Sequence, residues 1–219
     1  MKFIGSSGKA QHACGEEQTM KIIVTGFEPF DGGAINPSWE AVSALNAPEN
    51  VQLVKLQLPV VYGKAAEILL ETMRRELPDA VVCVGLAEGR AEITPERVAI
   101  NCRDESIPDN GGFFPHDEPV DAAGQPAYFT RLPVRRITEE IRKAGLPAKI
   151  SNSAGVYVCN DLFYGLLRAI ASEPLFKSVI GGFIHVPAST GMALPPSVPA
   201  LEPEQILKGL QITIETVAR

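Results

Sequence analysis

Two rhythms of apolar and polar positions run along this chain, and the switches between them mark its elements. Lys21–Thr25 is a short apolar run bounded by Gly26 and predicts a strand. Asn36-Pro37-Ser38 then opens a helix, because Asn suits the N-cap and Pro the first helical position. Val51–Leu58 alternates at period two, as a half-covered strand does. Gly63–Leu77 repeats at three and four and places Ala66, Leu69, Leu70, Met73 and Leu77 on one face. Ala80–Gly85 is apolar throughout, which fits a strand covered on both sides. Thr94–Cys102 reads as a further strand, whereas Arg103–Ala127 loses periodicity and predicts a long loop. Pro133–Ala144 is a helix closed by Gly145 and Pro147. An extended approach over Ala148–Ser153 leads to a second long helix, in which Leu162, Phe163, Leu166, Leu167 and Ile170 recur at helical spacing. Ser178–Val186 is the last strand, Ala188–Pro203 a Pro-rich loop and Glu204–Val217 a closing amphipathic helix. Strands alternating with helices predict an α/β sandwich: a mostly parallel central sheet with helices on both faces.

With 219 residues, 45% of them apolar, the chain suits one large domain better than two small ones. Residues 1–19 are polar and without periodicity, so they read as a loose tail ahead of a domain over 20–219. Met20 stands directly before the first strand and is an alternative translation start. Twenty basic residues against 26 acidic leave a net charge of −6, with no basic run to hold nucleic acid. No apolar run approaches the ~20 residues that cross a bilayer, and the N-terminus lacks the apolar core of a signal peptide. The cysteines at 14, 83, 102 and 159 show no paired spacing, which favours reduced thiols and a cytoplasmic setting.

The candidate chemistry centres on Cys159, placed about where a helix begins. Free N–H groups and the positive end of the helix dipole favour an anion there, and a thiolate is a nucleophile. A buried cysteine serving as a small apolar filler is the alternative, and Cys83, inside an apolar strand, reads that way. His185 ends the last strand, either as a base or as a hydrogen-bonded residue at the core edge. Glu96 stands at the start of another strand, either orienting such a base or forming a surface pair with Arg97. A cysteine hydrolase needs these three types: nucleophile, base and a carboxylate that orients the base. No Gly-x-Ser-x-Gly elbow competes. His12 and Cys14 are too few to make a metal site, so no metal is expected. His116 reads as a solvated loop residue. Phe27 and Phe30 flank a Gly-rich loop that has neither dinucleotide nor Walker spacing, and they either pack down or line a pocket. Gly85–Arg90 forms a loop at the C-terminal end of its strand, the edge where ligands gather in open sheets.

Five stretches carry a resemblance: Gly26-Phe27-Glu28-Pro29-Phe30 with Asn36-Pro37-Ser38; Pro95 to Asn101; Ile107-Pro108-Asp109-Asn110; Ser153 to Asn160; and Gly182 to Pro187. In this order they resemble the pyroglutamyl peptidase I family, the pyrrolidone-carboxylate peptidases. The resemblance implies a three-layer α/β/α fold and a cofactor-free cytoplasmic cysteine peptidase, often tetrameric, that removes N-terminal pyroglutamate from peptides. It implies a triad of Cys159, His185 and Glu96 and a lactam held by Phe27 and Phe30, with Asn36, Leu86 and Val158 completing the pocket. The backbone N–H of Cys159 is the expected oxyanion donor. The chain departs from the family pattern at Asp31, where a Gly is usual, at Ser106, where an Arg is usual, and at Asp161, where a His is usual. It also departs over Ala188-Ser189-Thr190-Gly191. Arg103 or Arg90 would replace the missing arginine. Two other readings stay open: a thiol amidase for another small lactam or amide, and a non-catalytic small-molecule binding protein of the same fold.

Overall fold

The computed structural model describes residues 19–219, so the tail expectation, with His12 and Cys14, lies outside the described residues. In chain order the elements are β1 (Met20–Phe27), α1 (Pro37–Ala44), β2 (Val51–Leu58), α2 (Lys64–Glu76), β3 (Ala80–Leu86), β4 (Thr94–Pro95), β5 (Val98–Ile100) and β6 (Ala127–Phe129). There follow α3 (Val134–Lys143), α4 (Val158–Ser172), a short 3-10 turn, β7 (Ile180–Val186), β8 (Ala188–Ser189), β9 (Ala200–Leu201) and α5 (Pro203–Val217).

One five-stranded sheet carries the fold, in the order β2-β1-β3-β7-β4. Its first four strands are parallel and only β4, at the edge, runs antiparallel. Alternate residues of the central strands feed two cores. Ile23, Val81, Cys83 and Phe183 face α2 and α4, while Ile22, Val24, Val82, Val84 and Ile184 face α1, α3 and α5. This is the three-layer arrangement that alternating elements demand. α4 is apolar nearly all round, and correspondingly buried, because the β5–β6 ribbon covers the side that faces away from the sheet.

Several boundaries differ from the sequence reading. β1 continues through Phe27 because its whole length pairs with β2, ending at Phe27↔Leu58. Thr94–Cys102 is not one strand: β4 joins the main sheet, the chain turns away at Glu96-Arg97, and β5 pairs instead with β6. β6 lies at the end of the stretch read as a loop, and two-residue strands interrupt the Pro-rich segment. Ala148–Ser153 is extended but makes only isolated bridges, Ala148 to Ile93 and Ser151 to Glu96. In α2 the covered face is Ala65, Leu69, Thr72 and Met73, and Leu77 is 58% exposed. Leu77 caps the helix in the left-handed conformation, φ 50°, which swings it off the apolar stripe.

Candidate active site

Cys159 is the second residue of α4, and Tyr157 is an N-cap that supplies no side-chain hydrogen bond. The first i→i−4 bond runs from Asp161 N–H to Tyr157 O (3.2 Å), so the N–H groups of Val158, Cys159 and Asn160 have no partner within the helix. The two residues after Cys159 fix the helix start. Asn160 is fully buried; its Oδ1 accepts from Ile100 N–H (3.0 Å) and its Nδ2 donates to Ile100 O and Cys102 O (2.9 and 3.0 Å). The Asp161 carboxylate accepts from Gly63 N–H (2.7 Å) and from Arg103 (2.6 Å), tying α4 to the start of α2.

His185 and Glu96 meet through strand register. β4 sets Thr94 opposite His185, and Glu96 N–H donates to Phe183 O (2.9 Å). The carboxylate then lies against the imidazole, His185 Nδ1 to Glu96 Oε1 at 2.8 Å, with both side chains buried. The surface pair with Arg97 does not form: Arg97 bonds Asn152 instead. Arg90 takes the role of counter-ion, reaching Glu96 Oε1 (2.6 Å), Thr94 Oγ1 (2.7 Å) and Ser153 O (2.9 Å). Glu96 Oε2 is buried with no hydrogen-bond partner.

The sulfur occupies a gap that Gly85 leaves open. Gly85 is the register partner of His185, and a Cβ there would lie 2.8 Å from Cys159 Sγ and 2.8 Å from Phe183 Cζ. Sγ therefore sits over the strand beside His185, on the same face as the imidazole. Among the described residues no hydrogen bond joins it to His185, whose side-chain partner is Glu96.

Burial dominates the electrostatics of the site. Burial, reinforced by the Glu96 charge and opposed by Arg90, pushes the Cys159 thiol up to about 12. Desolvation and the nearby carboxylate oppose the anion that the helix end favours. Burial likewise holds the His185 imidazole below its ordinary value against the pull of Glu96. Burial resists ionisation of Glu96, but the His185 and Arg90 contacts prevail and keep its carboxyl below the usual range. These influences favour a protonated thiol and a neutral imidazole beside an ionised carboxylate.

Beside Cys159 lies a small pocket lined by Phe27, Phe30, Asn36, Val60, Leu86, Tyr157 and Val158. The five residues expected to line it, Phe27, Phe30, Asn36, Leu86 and Val158, all do so; Val60 and Tyr157 are additions. Its volume at rest is about 30 Å3. Asn36 is a brace: Oδ1 accepts from Ser38 N–H and Oγ (3.1 and 2.8 Å) and Nδ2 donates to Glu28 O (2.9 Å). The Ile107–Asn110 motif is scaffolding of the same kind. Asn110 Nδ2 donates to Glu28 Oε1 (2.8 Å) and Pro29 O (3.0 Å), while Asp109 accepts from Tyr62, Gly111 and Phe113 N–H (2.9 Å each). Tyr157 OH donates to Pro108 O (3.0 Å).

Ser106 bonds its neighbour Glu105, and the two candidate replacement arginines are held by Asp161 and Glu96. No arginine lines the ring pocket. Asp31 fits its glycine position: it adopts φ 49°, a left-handed conformation that Asp tolerates better than most residues. His116 is solvated, 68% exposed in its side chain and remote from this pocket. Among the described residues, no group of three or more His, Cys, Asp or Glu is placed to hold a metal ion.

Residues 20–219 match the family described as pyroglutamyl peptidase. Among similar chains is the pyrrolidone-carboxylate peptidase of Bacillus amyloliquefaciens, 46% identical over 200 residues, spanning 90% of this chain and 92% of the relative. That of Thermococcus kodakarensis is 48% identical over 199 residues, 90% and 96% of the two chains. A crystal structure of pyroglutamyl peptidase I from B. amyloliquefaciens aligns with a TM-score of 0.87 at 45% identity, covering 91% of this chain and 95% of that one. From its fold, and from a match that spans the whole domain, the chain belongs to the pyroglutamyl peptidase family.

Proposed function

We propose that this enzyme of the cysteine-type hydrolase class cleaves the amide bond after an N-terminal pyroglutamyl residue through Cys159, His185 and Glu96. The observation that carries the reading is the 2.8 Å Glu96–His185 pair, with the sulfur lodged over Gly85 one strand away. The flat, uncharged lactam lies between Phe27, Phe30 and Tyr157. Because the side chain of Asn36 is engaged, backbone groups pair the lactam N–H and carbonyl. Proline lacks that carbonyl and would leave a buried donor unmatched, so it is rejected.

His185 Nε2 takes the thiol proton as Sγ attacks the scissile carbonyl carbon, and Glu96 stabilises the imidazolium through Nδ1. The N–H of Cys159, which the helix leaves free, donates to the oxyanion. Collapse breaks the C–N bond. His185 hands its proton to the departing amine, and the pyroglutamyl group remains as a thioester on Cys159. Water then attacks the thioester, losing a proton to His185; pyroglutamate departs and the thiol is restored. Since the resting groups are neutral, proton transfer accompanies attack.

Fluorophore release from a pyroglutamyl coumarin amide tests the reading. Release that stops in Cys159→Ala supports it; equal release by that variant, or cleavage of prolyl or glutaminyl amides instead, overturns it. A cytoplasmic location and a tetramer complete the proposal, checked by cell fractionation and by analytical ultracentrifugation. Mass spectrometry of the native protein would locate its start relative to Met20.

A further inference from the structure

Phe30 and Leu86 are shared walls: they line the ring pocket on one side and a second groove, of about 560 Å3, on the other. The groove runs between the loop after β1 and the Gly191–Leu194 segment. Two carboxylates line it, Asp31 and Glu88, and no cationic side chain does. Both are exposed, and neither has a hydrogen-bond or ion-pair partner among the described residues. The Asp31 charge also reaches the ring pocket: after burial it is among the influences that hold the Tyr157 phenol up to about 12.

A ring seated against Phe30 with its carbonyl at Cys159 leaves the rest of the peptide to follow a neighbouring surface, and the groove beyond Phe30 and Leu86 adjoins the ring pocket through those shared walls. A second cleft, of about 430 Å3, is lined by Arg90, Lys149 and Ser151–Ser153 together with the carboxylate of Glu92, and it shares no residue with the ring pocket. We propose that the departing peptide lies in the Phe30–Leu86 groove, and that Asp31 and Glu88 make this enzyme prefer substrates with a lysine or arginine immediately after pyroglutamate. The inference rests on the pyroglutamyl reading and specifies its substrate class. Its physical basis is charge complementarity at a solvated surface, so the preference is moderate and weakens with salt.

The experiment compares kcat/KM for three matched peptide amides, pyroglutamyl-Lys, pyroglutamyl-Ala and pyroglutamyl-Glu, at low salt, in the wild type and in Asp31→Asn with Glu88→Gln. Asn keeps the left-handed conformation at residue 31. The measure is the Lys-to-Glu ratio within each protein, so a general loss of activity cancels. A ratio of about five or more in the wild type, falling towards one in the double variant and at 0.5 M salt, supports the proposal. A wild-type ratio near one, or a ratio that the double variant retains, overturns it. A preference for Glu overturns it as well and assigns the exit to the Arg90–Lys149 cleft. Wild-type cleavage of the coumarin amide separates the two levels: cleavage with no Lys preference removes this inference alone, whereas no cleavage removes the parent reading.

Discussion

The reacting groups and the ring pocket lie side by side but are held by different means. His185 and Glu96 are fixed by backbone register, β3 against β7 against β4, and by a buried pair on which Arg90 closes. The pocket walls Phe30 and Tyr157 stand outside regular strands and rest on side-chain hydrogen bonds from Asn36, Asn110 and Tyr157 itself. The first region is rigid because moving it breaks a sheet. The second has no strand register behind it, only those side-chain bonds. Reaction geometry and substrate choice therefore respond separately to mutation.

The largest effects should fall on the reacting side. Cys159→Ala should lower kcat on the order of 10^5–10^6-fold with an unchanged circular-dichroism spectrum, and His185→Ala nearly as much. Glu96→Gln should cost less, about 10^3–10^4-fold, because it orients and stabilises and does not itself react. Loss of only tenfold in Glu96→Gln would mean that strand register alone aligns His185.

On the pocket side the two phenylalanines should separate. Phe27 is 2% exposed and belongs to the core beneath the pocket, so Phe27→Ala should cost about 3–5 kcal/mol of stability in a denaturant titration. Phe30→Ala should raise KM with little loss of stability; equal losses in both would show that Phe30 is core too. Asn110→Ala removes two bonds to the Glu28–Pro29 turn and should raise KM about tenfold while sparing kcat.

The smallest and most diagnostic effects concern pH. A His185 pKa held below the ordinary ~6.5 keeps the base neutral further into acid, so the acid limb of kcat/KM should lie below that value. A Cys159 thiol raised by burial should be alkylated by iodoacetamide ever faster as pH rises past ~8.5, without a plateau near neutrality. A midpoint below the free-thiol value would mean that the helix end prevails over burial after all.

Much of this was legible in the chain. Periodicity located the helices to within a residue or two, since each carries its own apolar stripe; Pro203–Val217 and Lys64–Glu76 are cases in point. Cys159, Glu96 and His185 stood out as chemically competent types at element ends. What escaped depends on partners distant in sequence. The break after Pro95 reflects the choice between β7 and β6, both far downstream. Val60 and Tyr157 reach the pocket only through tertiary packing, and the pull of Arg90 on Glu96 needs the fold that buries them. The burial that raises the Cys159 thiol was not legible either, because a helix start is visible in sequence and desolvation is not.

The bare backbone at residue 85 makes a mould for the nucleophile. A single methyl group there would displace either the thiol or the Phe183 ring behind it, which belongs to the core shared with α2 and α4. Gly85→Ala should thus yield a protein that still folds, is destabilised by about 1–3 kcal/mol and turns over almost nothing. Inactivity in this fold can arise from one misplaced carbon at a position that bears no reactive group.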